Sequence, residues 1–247
     1  MNISIAAESI AHIGTFPVTN SMLVGWVMSV VLIAVGWLAA RGASLKPRGI
    51  HNAFEAILDL LLKMIDGVTK DRAQSRKFFP LIATIFLFVL AVNWAGLLPG
   101  MGGAIGVLEE HDGKPVIISF IRATSADLNF TLALAIISVI TVQVVGVMSI
   151  GVVKYMGKFL NFTSPINFFV GILEIVSEAA KLVSFSFRLF GNIFAGEVLL
   201  TVMSFLVPYI IPLPFLALEV FVGFIQALVF AMLTLVFLKM SMEEAHH

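Results

Sequence analysis

Between Ile166 and Leu206 the chain runs through mostly apolar residues without a proline to interrupt it. Read as one helix rising 1.5 Å per residue, the stretch is about 61 Å long, twice the roughly 30 Å of a bilayer's hydrocarbon core. Such a rod cannot stand upright in a membrane. It either breaks, near Gly191 or Gly196, or lies well beyond the usual tilt of about 20°. The rest of the chain is equally apolar: 60% of its residues are hydrophobic and 12% charged, with a mean hydropathy of +1.05. No water-facing surface of this size tolerates that composition, so the chain is an integral membrane protein.

Charges inside such a segment are costly and by default functional. The run EIVSEAAKLVSFSFRLFGNIFAGE, residues 174–197, holds Glu174, Glu178, Lys181, Arg188 and Glu197. At 100° per residue Glu174, Lys181, Arg188 and Asn192 fall within roughly 40° of one another, so they form one stripe. Glu197 lies about 180° around the axis from Arg188 and about 13 Å along it, and is excluded as its partner on the same helix face. Ser184, Gly191 and Ala195 flank the Arg, and small residues admit a neighbouring helix. A fixed cation beside a small-residue groove suits a helix that passes carrying its own carboxylate. The plainer alternative is a structural Arg held by carbonyls or snorkelling to a headgroup.

The remaining spans follow from length and punctuation. Residues 1–21 read as an external tail, 22–40 as a first span and 51–77 as an interfacial amphipathic helix. In the latter, Phe54, Ile57, Leu58, Leu61, Ile65 and Val68 oppose Glu55, Asp59, Lys63, Asp66 and Lys70. Asp59–Lys63 and Asp66–Lys70 are spaced as favourable i,i+4 pairs. A second span covers 81–98, with Asn93 and Trp94 near its far end and Pro99-Gly100 closing it. An external loop covers 99–126, in which Gly102, Gly103 and Gly106 show no phosphate-cradle spacing. Asp127 caps a third span, 128–153, whose Asn129, Thr131, Ser138, Thr141 and Gln143 suit helix contacts or a wet lining. After the long segment at 166–206, Pro208, Pro212 and Pro214 force a turn into a return helix, 215–239. On it Glu219 and Gln226 share a face with Gly223 between them. The expected fold is an all-α membrane protein: five membrane-crossing helices and one interfacial amphipathic helix, the last two long helices forming a strongly tilted hairpin.

Basic residues set the orientation. With the amino terminus outside, Arg41, Lys46, Arg48, Lys63, Lys70, Arg72, Arg76, Lys77, Lys154, Lys158 and Lys239 lie inside, and Lys114 and Arg122 outside. Zero net charge offers no basic surface for nucleic acid, and the absence of cysteine removes disulfides and thiolate chemistry. No metal site is read. The histidines, at 12, 51, 111, 246 and 247, all lie outside the expected spans, so a Ser-His intramembrane hydrolase has no support. A secondary transporter or ion channel with a midplane solute site needs internal repeats that the hydropathy lacks.

RLFGNIFAGE at 188–197 and LEVFVGFIQALVFAMLTLVFL at 218–238 resemble subunit a of the F-type ATP synthase, and NWAGLLPG at 93–100 and SADLNFTLALA at 125–135 are similar to that family's second and third spans. The details resemble alphaproteobacterial rather than enterobacterial members. The resemblance implies a non-catalytic stator of a proton channel, without a cofactor, in a bacterial inner membrane. Its implied partners are a ring of c subunits, b-type peripheral-stalk subunits, lipid and the rest of the synthase, where ATP chemistry takes place. Arg188 matches the Arg that faces the ring; Asn192, Glu197 and Gln226 match polar residues of the proton path. Glu219 stands where some bacterial relatives carry His. Glu174 matches a carboxylate of the long helix, Glu178 and Lys181 fall beside it near the inner exit, and Asn129 is a weaker match for a lining residue.

Overall fold

The computed structural model describes residues 7–14, 16–41, 50–98, 106–111, 114–119, 122–159, 164–207 and 212–243. Lys46, Arg48, the Pro99-Gly100 stop, Gly102, Gly103, Pro208 and the final His pair lie outside them. Among the described residues seven α-helices carry the fold: α1 Asn20–Arg41, α2 Ile50–Thr69, α3 Arg72–Ala95, α4 Leu128–Ile150, α5 Val152–Phe159, α6 Pro165–Leu206 and α7 Pro212–Glu243. Five of these, α1, α3, α4, α6 and α7, are long and apolar enough to cross a membrane. This is the all-α membrane architecture that the hydropathy demands.

The long segment does not break. α6 is one continuous helix of 42 residues, about 63 Å at 1.5 Å per residue. Its start is fixed chemically: the Ser164 side chain accepts from the Ile166 N–H, and Pro165 occupies the first turn, where its missing N–H costs nothing. α7 likewise begins with Pro212 and Pro214 in its first turn. Asp71 and Asp127 cap α3 and α4 by accepting from Ala73 N–H and Asn129 N–H.

The amphipathic helix is shorter than its periodicity suggests. It ends at Thr69, because Lys70 turns into the left-handed region at φ 57°. Arg76 and Lys77 therefore belong to α3. Lys70 no longer continues the helix that the i,i+4 spacing assumes, and Asp66 pairs instead with Arg72 across the elbow. Lys239 Nζ, from the end of α7, donates to the Val68 carbonyl at 3.1 Å, supplying a cation where the last carbonyls of α2 lack partners.

The core lies where α3, α4, α6 and α7 meet. Ile82, Phe86 and Val89 of α3 pack with Leu134 and Ala135 of α4, Phe185 and Leu189 of α6, and Ala227, Ala231 and Leu235 of α7. Phe185 stacks obliquely on Phe230 and Phe237, with ring centroids 5.0 and 5.4 Å away. α1 stands at the edge and exposes Trp26, Val30, Ile33 and Trp37, a surface that only lipid or protein can cover.

Among the described residues two short antiparallel hairpins punctuate the helices. β1 (Ser9–Ile13) pairs with β2 (Phe16–Thr19), and β3 (Gly106–His111) with β4 (Lys114–Ser119), inside the segments expected to be tail and loop. A short 3-10 turn, Thr124–Ala126, then leads into α4.

Candidate functional site

On α6 the buried positions are Gly171, Phe185, Ser186, Leu189, Ile193 and Gly196, which seat one side of the helix on the bundle. The opposite side exposes Ser184, Arg188, Gly191, Asn192 and Ala195 together. Arg188 Nη2 donates to the Ser184 hydroxyl at 3.1 Å. No carboxylate among the described residues lies within ion-pair distance of this guanidinium. The stripe of cation, amide and small residues thus faces away from its own chain.

Glu197 of α6 and Glu219 of α7 turn the other way, into the bundle. Glu219 is 6% exposed. Its carboxylate lies against the backbone of Gly196, where a Cβ would overlap it, so only glycine leaves it room. Glu197, the next residue on α6, meets Arg122 at 3.5 Å through Oε1, while its Oε2 is buried without a hydrogen-bond partner among the described residues. Glu197 and Glu219 line one small cavity together with Asn93, Gly96, Leu97, Ala123, Ile193 and Leu200. Its volume is about 20 Å³, room for a single water.

α3 closes the crevice. Asn93 Nδ2 donates to the Gly223 carbonyl at 3.1 Å, and Trp94 Nε1 to the Val220 carbonyl at 3.1 Å. Both bonds tie the end of α3 to the first half of α7, beside Glu219. They leave Asn93 Oδ1 buried and without a partner among the described residues, an acceptor at the cavity that a water can serve. Gln226 is half-buried further along α7.

At the other end of α6, Glu174 pairs with Lys158 of α5 at 2.7 Å, and Lys181 donates to Glu178 at 2.7 Å. Lys181 also sits over the Phe237 ring, 4.9 Å from its centroid. Glu174 and Lys181 thus have partners off the stripe they were expected to share with Arg188. Asn129 is exposed in the first turn of α4, apart from the cavity-lining residues.

Three participants in this geometry were not singled out from the sequence: Arg122, Asn93 as a cavity residue, and Gly196 as the seat of Glu219. The signal that could have found Arg122 was Glu197 itself, a carboxylate in an apolar run that has no cation on its own helix face. Asn93 was visible as a polar residue at a span's end; Gly196 was visible only as a place for a break.

Among the described residues, five long apolar helices, with a guanidinium on an outward flank and two carboxylates in an internal crevice, define a multi-pass membrane protein that carries ionisable groups on its apolar helices. Residues 22–239 match the family described as ATP synthase A chain. Among similar proteins, ATP synthase subunit a of Moorella thermoacetica is 31% identical over 232 residues, 93% of each chain. That of Syntrophobacter fumaroxidans is 32% identical over 243 residues, covering 98% of this chain and 92% of its own. That of Campylobacter jejuni serotype O:2 is 36% identical over 224 residues, 89% of each chain. The chain belongs to the ATP synthase A chain family, that of subunit a of the F-type ATP synthase, as RLFGNIFAGE suggested.

Proposed function

We propose that this chain is the proton-channel stator of a rotary ATP synthase, and that Arg188 is the cation past which the carboxylates of a c-subunit ring move. The observation that carries this reading is the placement of Arg188: on the outward face of an unbroken helix, among small residues, with no carboxylate of its own chain in reach among the described residues.

The physical task is to pass protons between two aqueous phases without a leak. A neutral carboxylic acid crosses hydrocarbon at modest cost and a carboxylate does not. Two offset half-channels that each reach mid-membrane therefore exchange protons only through a carboxylate that rotates, neutral in lipid and ionised beside Arg188. The guanidinium stays protonated, so it stabilises the anion and bars a direct hop between the half-channels. Glu219, Glu197, Asn192 and Gln226 line the outer half-channel, with Asn129 towards its mouth. Glu174, Glu178 and Lys181 wall the inner exit, where their ion pairs hold charge in place. An unbroken α6 about 63 Å long fits a strongly inclined course along a ring. The driving force is about 2.3 kcal/mol per charge per 100 mV, and rotation conveys it to ATP chemistry in other subunits. The setting is a bacterial inner membrane, amino terminus periplasmic and carboxyl terminus cytoplasmic, with b-type stalk subunits holding the stator.

The test is ATP-driven proton pumping by reconstituted synthase carrying Arg188→Ala. Pumping is lost while the subunits still co-purify; pumping at the unaltered rate would contradict the proposal.

A further inference from the structure

We infer that Arg122, a residue of the loop before α4, is a positioning residue for the outer proton path: it holds Glu197 at the crevice shared with Glu219. The inference rests on the reading of that crevice as a half-channel.

Arg122 is delivered by a rigid turn. It is 7% exposed, and the residues after it are tied to three helices. The Ala123 side chain fits against Gly96 at the end of α3, where a Cβ would stand 2.5 Å from the Ala methyl. Thr124 Oγ1 donates to the Ser21 carbonyl of α1 at 3.1 Å, and Ser21 Oγ donates to Asp127 at 2.6 Å, the residue that caps α4. A guanidinium carried on such a base has a fixed origin, unlike one on a free loop.

Its target is equally specific. Glu197 sits on the flank of α6 nearly opposite Arg188, so the two arginines serve different sides of one helix. Arg122 Nε stands 3.5 Å from Oε1 of Glu197, an ion pair rather than a formed hydrogen bond, and Oε2 is buried without a hydrogen-bond partner among the described residues. Asn93 Oδ1 is a second buried acceptor in the same position, and the cavity that both residues line is shared with Glu219. Two acceptors, a second carboxyl and room for one water make a relay in which the water accepts from whichever carboxyl is protonated and donates to the other carboxylate, with Asn93 Oδ1 as its second acceptor. Arg122 fixes which oxygen of Glu197 is offered, and its charge makes an ionised Glu197 tolerable among Ile193, Leu97 and Leu200. Arg122 itself neither gains nor loses the proton.

The experiment is passive proton flux through membrane-bound synthase stripped of its catalytic head, measured against pH and normalised to assembled complex. Arg122→Gln slows flux about tenfold at neutral pH and moves the pH of half-maximal flux by about one unit. Arg122→Lys, which keeps the charge, preserves that midpoint and most of the flux. The inference is overturned if Arg122→Gln passes protons within about twofold of the unaltered rate, or if Gln and Lys scale the rate alike at every pH, as loss of a mere loop anchor would. Failure of the unaltered complex to pass protons would instead overturn the reading of the crevice. Normal flux in Arg122→Gln beside lowered flux in Glu197→Gln would remove only the role of Arg122.

Discussion

Gly196 and Glu219 make the sharpest single-residue test, because one has no side chain so that the other can lie where it does. The group that a Cβ at 196 would meet is the far end of a flexible side chain, so Gly196→Ala displaces the Glu219 carboxylate and need not split the helices apart. The expected outcome is synthase that assembles normally while passive proton flux falls about tenfold or more; equal flux at equal assembly would show that the seat is unimportant. Glu219→Gln lowers flux in both directions, and unchanged flux through the stripped rotor would remove it from the path. At this scale the sequence was legible where polarity stood out against its surroundings. Arg188, Glu197 and Glu219 are conspicuous because each interrupts an apolar run. Arg122 follows a loop in which charge is unremarkable, and its partner lies on a helix that begins more than forty residues later. Local pattern carries no information about such a pairing; only the tertiary fold supplies it.

At the scale of elements, the elbow between α2 and α3 shows how one backbone angle redistributes charge. Asp66 is held below the usual carboxylate range by the Ser75 hydroxyl and then by Arg72. The Ser75 hydroxyl has closer hydrogen bonds to Thr69 and Asp71, so the Arg72 contact is the firmer of the two. A carboxyl whose folded pKa is depressed adds stability above its unfolded pKa, and that contribution disappears as pH falls through the folded value. Amide exchange across Thr69–Ser75 should therefore accelerate as pH drops through and below the ordinary carboxylate range, beyond the intrinsic pH dependence, and Asp66→Asn should remove that extra acceleration. An unchanged profile in the Asn variant would deny the elbow this clamp. Periodicity could not reveal the elbow, because apolar and charged residues keep their helical spacing through Lys70 while the left-handed turn there breaks the helix. The long helix was ambiguous for the reverse reason: Gly191 and Gly196 permit a break, but the packing of Leu189, Ile193 and Gly196 on the bundle holds them in line. The hairpins were invisible because short strands outside the spans have little apolar alternation to mark them.

At the scale of the whole molecule, five apolar helices were legible because a long uninterrupted apolar run satisfies its own backbone groups in lipid only as a helix, a barrel strand being short and alternating. Orientation rests on the asymmetry of Lys and Arg, and the absence of cysteine makes it directly testable. With single cysteines at Ala7 and Lys154, a membrane-impermeant thiol reagent should label the first from the periplasmic face and the second only from the cytoplasmic face; the reverse pattern would invert the topology. The outward stripe of α6 is the other global feature, since burial of one helix flank on the bundle forces Arg188 and Asn192 to face something outside the chain. The most direct measurement is a disulfide cross-link. Asn192→Cys, one turn from Arg188, is paired with a cysteine placed next to the carboxylate of the small two-span ring subunit, and ATP hydrolysis is followed as the link forms. A link should form in high yield and stop hydrolysis, which returns on reduction. Absence of any link to the ring, with Asn192→Cys labelled only by lipid-soluble reagents, would contradict the central role of Arg188.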